Sequence, residues 1–378
     1  MPEERPQPKV AYLSFSPSPE GYIAQQLGTL RRYDPLVLAT HAPEVMGLPE
    51  AAIRSLRTLN PFVRAFNGLS LRLRHTCPHF EGQVRREGCC LIHALSGVEG
   101  LYGARLKART RLPLVTTFRG ADATRLPRRK PRLYERLFAE GDLFLAPAEA
   151  VRKELLSLGC PESRLGLHRP GIDVGRIPFQ ERKPGEDGSV NVLLVGRMVE
   201  RKGISYGLRA FANASRYHRH VALTLIGDGP ARPAIEAQLR ELGLGNVRLL
   251  GAQPHDAVLA EMQRAHILIL PSVTAADGDT EGIPIALIEA QASGLPVVTT
   301  WHSGIPELVA DGQSGYLVSE RNSHALAERL RNLIEHPELW GPFGQAGRAI
   351  VEQSFNLQRQ VAVLEEYYDR LLDGGTGE

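Results

Sequence analysis

The sequence predicts an α/β protein built from two doubly wound, Rossmann-like domains that face one another across a cleft. Three observations carry this reading: a length of 378 residues, short β-rich runs alternating with helical stretches, and one Gly-, Pro- and charge-rich break after which the alternation restarts. Such a length has room for two cores of ordinary size. The strand-like runs are apolar on both faces, as a parallel sheet covered by helices requires.

In the first half, strands are expected at KVAYLSF (9–15), LVLA (36–39), CCLIHA (89–94), LVTTF (114–118), LFLAP (143–147) and LGLHR (165–169). The break is PGIDVGRIPFQERKPGEDGS at 170–189. Its composition suits an exposed linker. Strands recur at VNVLLVG (190–196), VALTLIG (221–227), VRLLG (247–251), ILILPS (267–272) and PVVTT (296–300). Beyond Gly315–Val318 the pattern turns helical, through HALAERLRNLIEH and LQRQVAVLEEYYDRLLD. The expected division is therefore a first domain at 1–172, a second domain at 173–352, and a terminal helix at 353–378 that crosses back to the first domain.

Composition narrows the function classes. With 23% charged and 43% hydrophobic residues, the chain has the make-up of a folded soluble protein, so disorder and coiled coil are set aside. No apolar run reaches the eighteen or so residues of a membrane span, and the N-terminus lacks the layout of a signal peptide, so a cytoplasmic location is expected. The four cysteines form no C-x-x-C pair and read as buried thiols. The net charge of +3 hides an asymmetry: residues 1–172 hold 26 Lys/Arg against 16 Asp/Glu, a net of +10. Segment 54–74, RSLRTLNPFVRAFNGLSLRLR, mixes arginines with Leu, Phe and Val, and RRKPR follows at 128–132. An amphipathic basic face suits an anionic membrane surface or an anionic acceptor. Sparse aromatics and the lack of a recognition motif argue against nucleic acid.

Open α/β sheets bind ligands at the carboxyl ends of their strands. Three stretches of the second half fall there. VGRMVERKG (195–203) runs from a strand through Gly196 into a loop with Arg197 and Lys202, cations able to neutralise a diphosphate. IGDGP (226–230) places Gly227 and Gly229 where close backbone approach to a ligand is expected, although it is no G-x-G-x-x-G fingerprint.

The third stretch is DGDTEGIPIALIEAQASGLPVVTT (277–300). It sets two glutamates, Glu281 and Glu289, in apolar surroundings, where an unpartnered carboxylate is costly. Pro284 suits a first helical turn and Gly282 an unusual backbone angle before it, so a helix is expected from near Ile283 to about Ser293. The free N–H groups there, around Ile283, Pro284 and Ile285, make an anion site. Glu289 would then accept from ribose hydroxyls and Glu281 from hydroxyls on the other side of the phosphates, the base resting against backbone near Leu250–Gln253. An internal hydrogen bond from Glu289 to backbone or arginine is the competing reading. Asp277-Gly-Asp279 carries the form of a metal-binding D-x-D, yet two aspartates in a Gly-rich loop are ordinary, and neither a metal nor another cofactor is expected.

Residues 190–318 resemble the donor half of the retaining family 4 glycosyltransferases of the GT-B fold. The likeness rests on Glu281 and Glu289 within EGIPIALIEAQASGLPVV, followed by HSGIPELVADGQSGYLV (302–318) and preceded by VGRMVERKG and IGDGP. The run DGDTEGIPIALIEA resembles the bacterial subgroup that builds exopolysaccharide, the colanic acid transferases among them. In the first half, SPSPEGYIAQQLGTL occupies the place of that subgroup's first strand-to-helix loop, which makes Glu20 and Gly21 candidates, and VTTFRGAD resembles its T-F-H-G-x-D motif. Where the family has a histidine for the donor sugar, this chain has Arg119. His93 and Asp122 complete the candidates for the acceptor or sugar pocket.

The resemblance implies transfer of a hexose from a nucleoside diphosphate sugar, UDP favoured over GDP, to a glycan or lipid-linked acceptor. Arg197, Lys202 and Glu281 are its expected catalytic residues, with domain closure excluding water. Two other classes stay open: a sugar-nucleotide epimerase or a phosphorylase on a similar double fold, and a non-catalytic two-lobed sugar-binding protein.

Overall fold

The computed structural model describes residues 7–15, 21–40, 48–49, 52–218 and 220–374. The chain forms two compact units, Met1–Gly171 with Leu357–Glu378, and Ile172–Asn356.

In the first unit, β1 (Lys9–Ser14), β2 (Asp34–Ala39), β3 (Ile53–Ser55), β4 (Cys89–Ala94), β5 (Leu114–Thr117), β6 (Leu143–Ala146) and β7 (Leu165–Leu167) form one sheet. Among the described residues its order is β3-β2-β1-β4-β5-β6-β7, and every pairing is parallel. Strand β3 is an addition to the sequence expectation: three residues centred on Arg54 leave too short and too polar a signal. The remainder of segment 54–74 is a 3₁₀ turn at Leu56–Thr58 and a helix at Pro61–Arg74. The terminal helix Leu357–Asp373 belongs to this unit, where Leu364 and Tyr368 pack in one core with Val10, Tyr12 and Leu91. Its Glu365 accepts the N–H groups of Arg31 and Arg32, both at 2.7 Å, so the buried carboxylate serves backbone donors that a turn leaves unpaired.

In the second unit, β8 (Val190–Val195), β9 (Val221–Ile226), β10 (Val247–Gly251), β11 (Ile267–Leu270), β12 (Val297–Thr300) and β13 (Gly315–Val318) form a parallel sheet in the order β10-β9-β8-β11-β12-β13. Val192, Leu194, Leu223, Leu225, Ile267 and Ile269 supply its core against helices Ile204–Ala214 and Ser323–Glu335. Each sheet reverses direction once, between β1 and β4 and between β8 and β11. A parallel doubly wound sheet opens a ligand crevice outside the strand ends at that reversal.

Candidate functional site

The loops that leave β8 and β11 at the reversal of the second sheet meet. The first is fixed by backbone hydrogen bonds to the loop after β9: Gly196 N–H donates to Ile226 O (3.0 Å), Met198 N–H to Asp228 O (2.8 Å) and Ala231 N–H to Met198 O (3.0 Å). This explains the glycines of IGDGP. Gly227 has φ 144°, and a Cβ there would stand 1.9 Å from Gly196 O; at Gly229 it would stand 2.6 Å from Met198 O. Both glycines thus allow a close approach by the neighbouring loop.

The next turn, Glu200–Lys202, ends at Gly203, where an added Cβ would meet Pro271 O at 1.8 Å, so backbone contact brings this turn to the end of β11. Arg201 and Lys202 consequently reach the loop beyond Pro271. Arg201 Nε donates to Glu281 Oε1 (2.7 Å), its Nη1 donates to Asp279 Oδ2 (2.7 Å), and Lys202 Nζ lies 3.1 Å from Glu281 Oε1. Burial pushes the Glu281 carboxyl up, but Lys202 and Arg201 outweigh it and hold it below the ordinary carboxylate range. It stays ionised. The stem of Lys202 covers Gly196, whose Cβ position lies 3.2 Å from Lys202 Cδ. Asp279, half of the D-x-D, pairs with Arg201, and among the described residues no group of three or more His, Cys, Asp and Glu could hold a metal. Arg197 is exposed, and among the described residues no carboxylate pairs with it, so the structure joins Lys202, but not Arg197, to Glu281.

Glu281 is also fixed through its backbone. Its N–H donates to His302 Nε2 (3.1 Å), and the His302 Nδ1 side faces Glu320 Oε1 at 2.6 Å. A ring nitrogen that accepts leaves the proton on the other, so His302 donates from Nδ1 to Glu320. Burial raises the Glu320 carboxyl, yet the Thr274 N–H and His302 bring it below its ordinary value.

The helix expected from near Ile283 runs over Ile285–Ala292, with Pro284 as its N-cap and no capping side chain. Pro284 lacks a side-chain acceptor, so no side chain caps the first turn, in which Leu287 N–H donates to Pro284 O at 3.0 Å. Among the described residues the positive φ of the preceding loop falls at Gly278 (82°) rather than Gly282; the Gly282 carbonyl accepts Gly304 N–H at 3.1 Å. Ile283 is buried, 7% exposed. Glu289, also 7% exposed, has a partner: His255 Nε2 lies 2.6 Å from its Oε1. That partner is neither the backbone nor the arginine of the competing sequence reading. The Glu289 hydrogen bond, more than offsetting partial burial, raises His255 above its ordinary value.

The first-unit candidates divide. His93 is wholly buried, its Nδ1 2.5 Å from Tyr368 Oη and its Nε2 2.8 Å from Thr117 Oγ1; burial pulls it down to about 3. Both nitrogens are spent inside the core, so His93 is a structural residue and not part of a sugar pocket. Asp122, 6% exposed, accepts the N–H groups of Gly97 (3.1 Å) and Arg119 (2.9 Å) on Oδ2, tying together the loops that follow β4 and β5. That too is a structural duty. Arg119 is half-buried and donates from Nε to Leu95 O at 3.2 Å. Gly21 opens helix Gly21–Thr29 at an exposed position. Glu20 lies outside the described residues.

The sequence reading missed Arg201, His255 and Glu320, and assigned no role to His302. Arg201 and His302 lie within quoted motifs, VGRMVERKG and HSGIPELVADGQSGYLV, but the pairings join residues 80 and 21 positions apart, which spacing alone does not show.

Comparison with known proteins follows this geometry. Residues 22–176 match the family described as Glycosyltransferase Family 4, and residues 176–349 match that described as Glycosyl transferases group 1. The amylovoran biosynthesis glycosyltransferase AmsK of Erwinia amylovora is 35% identical over 260 residues, 68% of this chain and 64% of that protein. The putative colanic acid biosynthesis glycosyltransferase WcaL of Salmonella typhimurium is 36% identical over 280 residues, 71% of this chain and 68% of that protein. The matched region thus spans about two thirds of the length of these relatives. Among solved structures, Anabaena Alr3699/HepE in complex with UDP and glucose aligns at TM-score 0.77 and 20% identity, over 96% of this chain and 100% of that one. Sucrose-phosphate synthase (tll1590) from Thermosynechococcus elongatus aligns at TM-score 0.76 and 19% identity, over 97% and 100%. At such identities the structural likeness shows the GT-B fold.

Proposed function

Since this chain belongs to glycosyltransferase family 4, we propose that it moves a hexose from a nucleoside diphosphate sugar to a glycan or lipid-linked acceptor, with retention of configuration. The observation that carries the reading is the meeting of Lys202, Arg201 and Glu281 at the reversal of the second sheet, three residues before the Pro284 cap of a helix without a capping side chain. There the diphosphate lies over the first N–H groups of the helix, beside Lys202, with no metal required.

As the bond from the anomeric carbon to the leaving phosphate breaks, the sugar takes oxocarbenium character and charge grows on the diphosphate. Lys202, the helix start and Arg197 stabilise that charge. Glu281, fixed by two cations and by His302, orients the sugar through its hydroxyls. Glu289 takes the ribose, exchanging its His255 contact for the two ribose hydroxyls. The acceptor hydroxyl attacks on the face the phosphate leaves, and the departing phosphate oxygen takes its proton.

A UDP-sugar is favoured over a GDP-sugar: UDP and UDP-glucose complexes are among the proteins of similar fold. The names of the relatives, for amylovoran and colanic acid biosynthesis, support an exopolysaccharide as the product; in this reading the acceptor is held by the first unit. A thermal-shift screen against UDP-, GDP- and ADP-sugars tests the donor. The largest stabilisation is expected with a UDP-sugar, and a larger one with GDP- or ADP-sugar overturns that choice. NMR of the product's anomeric centre tests the stereochemistry; an inverted product rules out same-face attack.

A further inference from the structure

Helix Pro61–Arg74 of the first unit carries a surface that its fold does not use. Only Asn67 and Leu71 are buried in it. Asn67 fastens the inner side, donating to Val63 O (2.8 Å) and accepting His79 N–H (3.1 Å). The opposite side exposes Phe62 (86%), Phe66 (63%), Leu69 (57%) and Leu73 (68%). Their spacing of four, three and four residues sets them in one stripe along the helix. Single exposed apolar residues are ordinary, but a contiguous stripe of large ones marks an interaction surface.

The charge around it says what it fits. Residues 51–80 contain five arginines and no Asp or Glu. Arg54 pairs with Glu87; Arg57, Arg64, Arg72 and Arg74 are exposed, and among the described residues no carboxylate pairs with them. At 14 residues the helix is roughly 21 Å long, too short and too charged to span a bilayer. It has the make-up of a helix lying in the interfacial plane. A second copy of the chain on the same face would bring two arginine sets together, which an isologous contact cannot relieve.

We propose that helix Pro61–Arg74 docks the protein on an anionic lipid surface, with Phe62, Phe66, Leu69 and Leu73 among the acyl chains and the flanking arginines on headgroup phosphates. This stands apart from the sugar-transfer reading, since Lys202 and Glu281 take no part in it.

Co-sedimentation of the full chain with vesicles, without any nucleotide sugar, tests it. The protein pellets with equimolar phosphatidylglycerol and phosphatidylcholine and stays in solution with phosphatidylcholine alone. The combined variant Phe62→Ser, Phe66→Ser, Leu69→Ser, Leu73→Ser stays in solution with both while its Tm is unchanged. Each of Arg64→Gln, Arg72→Gln and Arg74→Gln lowers the partition coefficient about fivefold, the loss expected per basic residue at an anionic leaflet. Binding indifferent to phosphatidylglycerol, binding retained by the combined serine variant, or a dimer in sedimentation velocity that this variant dissolves, each overturns the proposal.

Discussion

At the scale of single residues, Arg201 and Lys202 stand side by side on one turn and share one carboxylate, yet their duties differ. Arg201 binds Glu281 and Asp279 through two nitrogens, whereas Lys202 meets Glu281 with one. Arg201→Met leaves Asp279 without its arginine and Glu281 with only Lys202. We expect it to lower stability by about 1–3 kcal/mol, the cost of leaving buried polar groups unmet, seen as a lower Tm of the full chain. Lys202→Ala, which leaves Glu281 its bond to Arg201, should lower Tm by less than Arg201→Met but reduce kcat by ~10²-fold or more, as for loss of a donor to developing negative charge. Equal effects of the two variants on both readouts would show that they share one structural task. The Glu289–His255 contact gives a pH prediction. His255 is raised above its ordinary 6.5 by the Glu289 hydrogen bond, so the contact's stabilisation is complete below 6.5 and is lost as pH rises through the raised value. An NMR titration of the His255 ring should show a midpoint above 6.5 that falls back in Glu289→Gln; an unmoved midpoint would show that Glu289 is not the cause.

At the scale of elements, the strands were legible because buried parallel strands read as continuous apolar runs, and β4 at Cys89–Ala94 matches its run CCLIHA residue for residue. Strand β3 was not, since Ile53–Ser55 lies at the sheet edge with an arginine in its middle. Glu281 and Glu289 were legible as carboxylates out of place in apolar sequence. Their partners were not, because the fold alone decides which cation arrives from a distant loop. The same limit hid the backbone partners of the IGDGP glycines, which face Gly196–Met198. Gly227→Ala should therefore destabilise by at least about 2 kcal/mol through clash and strained backbone. Gly245→Ala, where an added Cβ meets nothing within 4 Å, should be tolerated. Comparable Tm values for the two would remove the argument that backbone contact holds the loops after β8 and β9.

At the scale of the molecule, each unit is a parallel doubly wound sheet with its own core, and the terminal helix completes the first unit through Leu364 and Tyr368. The division of labour proposed for them follows from chemistry that differs between the two. The first-unit candidates His93 and Asp122 are spent on structure, and that unit presents a basic, apolar helix to its surroundings. The second unit gathers Lys202, Glu281 and an uncapped helix start at the reversal of its sheet. The central claim, that a nucleoside diphosphate is held there, is tested most directly by isothermal titration of UDP into the full chain and into Lys202→Ala with Glu289→Gln. The account predicts one site per chain and an affinity at least tenfold weaker in the double variant; equal affinity for both proteins would contradict it.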